Sequence, residues 1–224
     1  MKSLEELINK EDPGWPFVKE WIAEAKNNIK ILMKDVQKAN DALFRTQVTT
    51  RSPMGAIIFE SGGIVVEDGW IRILGSGCES LERSLPYWNK GKSFIEFGDI
   101  PSFFLVADDA VGGFFAINGG SLGENMGKIY YLAPDTLEWE DLDMTYSDFL
   151  FFCFSGDMDS FYQNLRWNNW RDDIANLCGD EVFTFYPFLW TKQGKDINTV
   201  TRKNVPIEEH YHLTIDLQKQ LSSN

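Results

Sequence analysis

The stretch from Val106 to Gly120 constrains the fold more than any other part of the chain. An apolar run ends there in Asp108-Asp109, and a second run begins after the pair Gly112-Gly113. Two apolar runs broken by paired glycines predict consecutive strands with a tight connection. The sequence therefore places two carboxylates at a strand-to-strand turn.

Asp108 and Asp109 are not expected to form a catalytic pair. Neighbouring side chains of an extended strand point to opposite faces, so the two carboxylates cannot meet one substrate together. We expect one of them to cap the glycine turn by accepting backbone N–H groups, and the other to be solvated. The alternative is that one of them presents its charge on a binding face.

Apolar runs and turn residues predict an α+β fold. Asp68-Gly69 lies between two β-branched runs and predicts a hairpin. Further strands are predicted at residues 29–33, 103–107, 114–117, 128–132, 137–142 and 182–186. Helical periodicity or capping residues predict helices beginning near residues 13–16, 35, 145, 157 and 206, with a polar loop over residues 192–204.

The expected architecture is a single domain over residues 1–190, followed by a polar loop and a C-terminal helix or tail over residues 191–224. Its centre is a largely antiparallel sheet, with helices before and after it. A length of 224 residues, of which 43% are hydrophobic, supports one sizeable core.

The net charge limits which partners the protein can bind, and the cysteine content indicates its cellular compartment. The formal net charge of −13 argues against nucleic acid, whose phosphates require clustered Lys and Arg, and favours a basic protein partner. Three cysteines without CxxC spacing predict free thiols in a reducing compartment. We expect a cytoplasmic protein without a membrane span; the oligomeric state stays open.

No cofactor, metal or catalytic set is predicted. Gly91-Lys92-Ser93 resembles the end of a phosphate loop, but Pro86 stands where the first glycine is needed. His210 and His212, beside Glu208 and Glu209, form a weak metal-like pattern in a segment that we expect to be a solvated tail. Because both histidines lie in that segment, the sequence does not predict a Ser-His catalytic triad.

Acidic residues are concentrated between Asp135 and Ser160, where eight occur without any Lys or Arg. One interpretation is the solvated faces of a strand and two helices. The other is an acidic surface for a basic partner, with Glu138, Trp139, Glu140 and Asp141 as binding residues.

Several long motifs of this chain occur in the same order in a known group of sequences. They are Asp12–Pro16, Thr49–Ala56, Asp68–Gly75, Val106–Phe115, Ala133–Trp139, Leu165–Trp167 and Phe183–Trp190. Over roughly Leu4 to Trp190 the chain resembles a bacterial family known only as a domain of unknown function.

More remotely, the chain resembles the SUKH superfamily. The shared order is a glycine pair, a hairpin with Trp70, an Asp-Asp-x-x-Gly-Gly-Phe strand, a Tyr130-Tyr131 strand and a following helix. Many SUKH members look like immunity proteins that bind and neutralise toxins of competing bacteria. The resemblance implies an α+β fold and a protein-binding face, with no catalytic residues to carry over.

The leading hypothesis is a non-enzymatic, immunity-like module whose acidic surface binds a basic protein such as a toxin. The alternative is an enzyme or small-ligand-binding protein with a pocket near Asp108, Asp109, Trp70 and Tyr131. A third reading, an accessory subunit of a larger complex, predicts an exposed apolar patch at residues 188–190.

Overall fold

A computed structural model describes residues 1–222 and shows an α+β fold. Its centre is a seven-stranded antiparallel sheet whose strands are ordered as they occur in the chain. The strands are β1 (Ile29–Leu32), β2 (Gly63–Val66), β3 (Ile71–Leu74), β4 (Phe103–Asp109), β5 (Phe114–Asn118), β6 (Ile129–Leu132) and β7 (Trp139–Met144).

The hairpin predicted at Asp68-Gly69 joins β2 and β3. A short 3₁₀ turn over Glu67–Gly69 connects them, and Gly69 adopts a φ of 107°, which a side chain rarely allows. In the resulting register, Val65 lies opposite Arg72, and Arg72 in turn lies opposite Asp108 on β4. The hairpin thereby aligns a basic and an acidic side chain on adjacent strands.

Nine helices are found within residues 1–222, and none of them has the length and apolar character that crossing a membrane requires. Two precede β1, namely α1 (Leu4–Leu7) and α2 (Trp15–Ala23), and two lie between β1 and β2, namely α3 (Val36–Thr46) and α4 (Pro53–Glu60). The others are α5 (Leu85–Asn89), α6 (Tyr146–Ser155), α7 (Met158–Phe161), α8 (Trp170–Ile174) and α9 (Ile207–Ser222).

Side-chain caps begin α3, α6 and α7, and those at Thr145 and Asp157 confirm the sequence prediction. Asp35 accepts the backbone N–H groups of Gln37 and Lys38 at the start of α3. Thr145 and Asp148 form a reciprocal capping box at α6. Asp157 caps α7, which is shorter than its apolar spacing predicts.

The C-terminal segment is part of the folded body. The prediction of a loop over residues 192–204 is wrong at its end, because β9 (Thr201–Pro206) pairs antiparallel with β8 (Glu181–Tyr186). β8 is tied to the central sheet by the N–H of Phe183, which donates to the carbonyl of Ala110 at 2.8 Å. On α9, Ile207, Tyr211 and Thr214 are buried.

Candidate functional site

Asp108 is the centre of a buried ion-pair network. The side chain has no exposed surface, and Arg72 Nε donates to its Oδ1 at 2.6 Å. Arg83 Nη1 donates to its Oδ2, and Arg83 Nε also donates to Asp180 at 2.9 Å. Asp108 is thus bound from both sides by arginines, and the expectation that one aspartate would be solvated is wrong.

Asp109 faces the opposite side of β4 and closes the turn to β5. Its Oδ1 accepts the backbone N–H groups of Val111 and Gly113, at 3.1 and 2.8 Å. Its Oδ2 accepts the hydroxyls of Tyr131 and Tyr162, at 2.6 and 3.1 Å. The predicted capping role is confirmed, and four bonds occupy the lone pairs of this carboxylate.

The two glycines of the turn are required by close contacts. Gly112 has a φ of 87°, and a Cβ there would lie 2.0 Å from His210 Nε2. At Gly113 a Cβ would lie 2.4 Å from the Tyr131 ring. The paired glycines let α9 and Tyr131 pack directly against the backbone of the turn.

Burial sets the protonation of the Asp109 cluster. It raises the Asp109 pKa, although the hydrogen bonds from Tyr131 and Gly113 act in the other direction. Burial, together with the adjacent Asp109 charge, holds the pKa values of Tyr131 and Tyr162 well above their ordinary value. Both tyrosines therefore remain donors to the carboxylate.

Trp70 belongs to an interior aromatic cluster. It is fully buried, and its ring lies 5.2 Å from Tyr162 and 4.7 Å from Trp170 between centroids. The guanidinium of Arg166 lies over the rings of Trp70 and Trp170, at 4.8 and 4.2 Å. The protein's own arginine thus occupies the position that an external cation would take.

These contacts make Asp108, Asp109, Trp70 and Tyr131 interior groups. Tyr131 is 3% exposed, and the other three are 0% exposed. None of the four lines any of five cavities found within residues 1–222. Of the four, Asp109 and Tyr131 are joined by a hydrogen bond, and none has the exposed surface that a substrate would need.

The predicted acidic residues lie instead on the surface, at β7. Glu138, Glu140 and Asp141 are exposed, whereas Trp139 is half-buried against Phe103. The Asp141 pKa is lowered by hydrogen bonds from the backbone of Asp143 and from Asn125. The carboxylate is therefore held ionised on the last strand of the sheet.

The expectation that both histidines lie in a solvated tail is wrong for His210. His210 is half-buried and its Nε2 lies 3.2 Å from the Gly112 carbonyl, so only His212 is solvated, at 64% exposure. At residues 188–190, Phe188 and Trp190 are partly exposed beside the exposed Leu213. Phe188 and Trp190 stack at 5.6 Å and, with Leu213, line a small cavity of about 30 Å³, while Leu189 is buried.

Comparison with known proteins assigns the chain to a family. Residues 4–210 match a family described as a protein of unknown function, DUF2625. The chain belongs to this family. An uncharacterized protein of Haemophilus influenzae is 46% identical over 211 residues, which is 94% of this chain and 92% of the relative. The uncharacterized protein YbfG of Escherichia coli K12 is 41% identical over 219 residues, 98% of each chain.

These matches confirm the resemblance to a bacterial family of unknown function. No solved structure matches the chain. The function of this DUF2625 protein therefore has to be argued from its own geometry.

Sequence reasoning missed the partners of the buried carboxylates in this DUF2625 chain. Arg72, Arg83 and Tyr162 are all brought to the aspartates by tertiary folding. One signal was present, because Arg72 stands between Ile71 and Ile73 in an apolar strand. A charged residue in such a run predicts a buried ion pair.

Proposed function

We propose that this DUF2625 protein is a non-enzymatic, immunity-like binding module that holds a basic protein partner on the acidic strand β7. The observation that carries the proposal is a contrast between two sets of carboxylates. Asp108 and Asp109 are buried and fully engaged by the protein itself, whereas Glu138, Glu140, Asp141 and Asp143 are exposed. A partner can reach the second set from solvent, although Asp143 already pairs with Lys128.

The position of β7 supports this role. It ends the sheet order, so one side of the strand has no neighbouring strand in the described fold. Terminal strands can add a strand from another chain, and charged side chains restrict which strands can pair there. An acidic terminal strand would reject acidic segments and favour a basic one.

Charge also supports a basic partner. Seven of the eight acidic residues between Asp135 and Ser160 are exposed, and the structure pairs two of them with a cation: Asp143 with Lys128 and Asp159 with Arg166. The remaining negative charge, within a chain of net charge −13, would attract a basic protein and speed its association. The remote SUKH resemblance adds the immunity-like character, and the free thiols favour the cytoplasm.

The test compares capture of partners from lysates of the source organism and competing bacteria. The test variant combines Glu138→Gln, Glu140→Gln, Asp141→Asn and Asp143→Asn. The control combines Glu5→Gln, Glu11→Gln, Glu20→Gln and Glu24→Gln, four exposed acids without an ion pair in the described structure. Both variants change the net charge by the same amount.

We expect wild type and control to retain the same basic protein, and the β7 variant to lose it. With the purified partner, titration calorimetry should show binding at least about tenfold weaker for the β7 variant than for the control. Equal binding by the two variants would show that general charge acts, not β7, and would contradict the proposal.

A further inference from the structure

A cavity of about 460 Å³ opens beside the N-terminal helices, away from any residue of the acidic strand. It lies between the end of α3, α4, α5 and the loop that leads into β4. Its volume falls within the roughly 300–1,000 Å³ typical of small-molecule sites. Most of its wall is apolar and is formed by Val48, Met54, Pro86, Phe94, Pro101 and Phe104.

Arg45, in the last turn of α3, supplies the positive charge of this cavity. Its Nε donates to Asp41 at 3.2 Å, and its guanidinium lies over the Phe97 ring at 4.9 Å. No carboxylate or carbonyl group within residues 1–222 accepts a hydrogen bond from its Nη atoms, and the Tyr87 side chain lies within hydrogen-bonding reach of both Arg45 and Asp41. Asp41 and Phe97 thus fix the orientation of a guanidinium that can still donate to a ligand.

The other polar groups of the cavity are engaged by the protein. Thr46 Oγ1 donates to the Ala42 carbonyl at 2.7 Å, and the Gln47 side chain binds the backbone of Lys2 and Phe44. Asp99, the one acidic residue in the wall, accepts the backbone N–H of Glu96 at 2.8 Å. Arg45 is therefore the group that would select the charge of a ligand.

We propose that this cavity binds a small amphipathic anion, with a ring or short chain among the apolar side chains and a carboxylate or similar acidic group at Arg45. A planar guanidinium binds such oxyanions through paired N–H donors. An apolar wall with one directional polar group is the usual composition of a small-molecule site. The inference does not rest on the proposed protein-binding function, because the two sites share no residue.

Two fluorescent probes separate charge from apolar contact. 1-Anilinonaphthalene-8-sulfonate carries an acidic group, and N-phenyl-1-naphthylamine has the same rings without it. Both are titrated into wild type, Arg45→Gln and Val48→Trp, with circular dichroism confirming the fold of each variant. The matched control is Arg51→Gln, because Arg51 is also paired with an aspartate through Nε, at 3.1 Å, but lies outside the cavity.

We expect Arg45→Gln to weaken the sulfonate probe about tenfold, as loss of a charge-assisted hydrogen bond predicts, and to leave the neutral probe within twofold. Val48→Trp fills the cavity and should weaken both probes, whereas Arg51→Gln should change neither. Sodium decanoate should displace both probes from wild type.

Three results would overturn the inference. They are a sulfonate affinity unchanged by Arg45→Gln, equal losses in Arg45→Gln and Arg51→Gln, or probe binding that Val48→Trp does not reduce. A loss of both probes in Arg45→Gln with an intact circular dichroism spectrum would also contradict it, because the charge would then have no selective effect.

Discussion

Asp108 connects segments that are distant in sequence. Arg72 reaches it from β3, and Arg83 reaches it from the segment before α5 while also binding Asp180 ahead of β8. Buried charges are tolerated when each is paired, and removal of one partner leaves the others desolvated without compensation. The role of Asp108 is therefore to hold three parts of the chain together.

Replacing Asp108 tests this role. Asp108→Asn leaves Arg72 and Arg83 with one carboxylate instead of two, and should lower the free energy of unfolding by about 3–5 kcal/mol in urea denaturation. Asp12→Asn is the control, because Asp12 pairs with the exposed Arg51 and should cost under about 1 kcal/mol. Similar losses for the two variants would show that the buried network does not stabilise the fold.

At the scale of elements, α9 packs directly on the turn between β4 and β5. His210 Nε2 lies 3.2 Å from the Gly112 carbonyl, and its Nδ1 is buried without a partner among residues 1–222. Burial of the ring lowers the His210 pKa to about 4, and the nearby Arg72 charge acts in the same direction. A proton on His210 would therefore oppose the docking of this helix.

This docking should depend on pH. The folded-state pKa of His210 lies below its ordinary value of 6.5, so the unfolded chain takes up the proton first as pH falls. The contribution of neutral His210 to the free energy of unfolding is therefore complete above about pH 6.5 and is lost as the pH falls towards 4. Between pH 7 and 4, wild type should lose about 2 kcal/mol more unfolding free energy than His210→Gln, whose amide can still donate to Gly112. Parallel pH curves for the two proteins would contradict this assignment.

The elements that the sequence predicts well are those with strong local signals. Six strands of the sheet follow from apolar runs bounded by turn residues, whereas β7, predicted at residues 137–142, is an acidic strand at Trp139–Met144. α3 follows from its apolar spacing, and α6 follows from apolar spacing and the Thr145 cap. β9 was missed because residues 201–206 are mostly polar and give no apolar run. They can be polar because only one face of the β8–β9 ribbon is covered. α4 was missed because its apolar residues show no helical periodicity.

The site was less predictable than the fold. The turn-capping role of Asp109 depends on residues two and four positions away and could be read locally. The environment of Asp108 depends on Arg83, 25 positions away, and on the packing around it. A single sequence shows that a carboxylate is present, but its burial is decided by such distant contacts.

Among the described residues, the buried hydrophobic core extends to α9. Tyr211 is 5% exposed, and its ring meets Phe114 on β5 at 5.1 Å and Trp88 on α5 at 5.9 Å. The helix that follows the C-terminal hairpin therefore contributes to the central core. Unfolding of this helix and of the sheet should be coupled.

Tyr211→Ala tests that coupling. Loss of the buried ring should lower the unfolding free energy by about 3 kcal/mol. Far-UV circular dichroism and tryptophan fluorescence should still report one shared urea transition. His212→Ala, one position along on the exposed side, should change stability by less than about 0.5 kcal/mol. Two separate transitions would instead make the C-terminal segment an independent unit.

The strand order of the sheet also bears on how the chain acquires its shape. Each strand after β1 pairs with the strand that precedes it in the chain, so the sheet can extend in order from β1 to β7. The connections among β4, β5, β6 and β7 are short, and short loop closures cost little entropy and favour rapid assembly. Asp180 and α9 arrive later, when the second carboxylate reaches Arg83 and Tyr211 covers Phe114. We therefore expect these C-terminal contacts to be the last to form during synthesis.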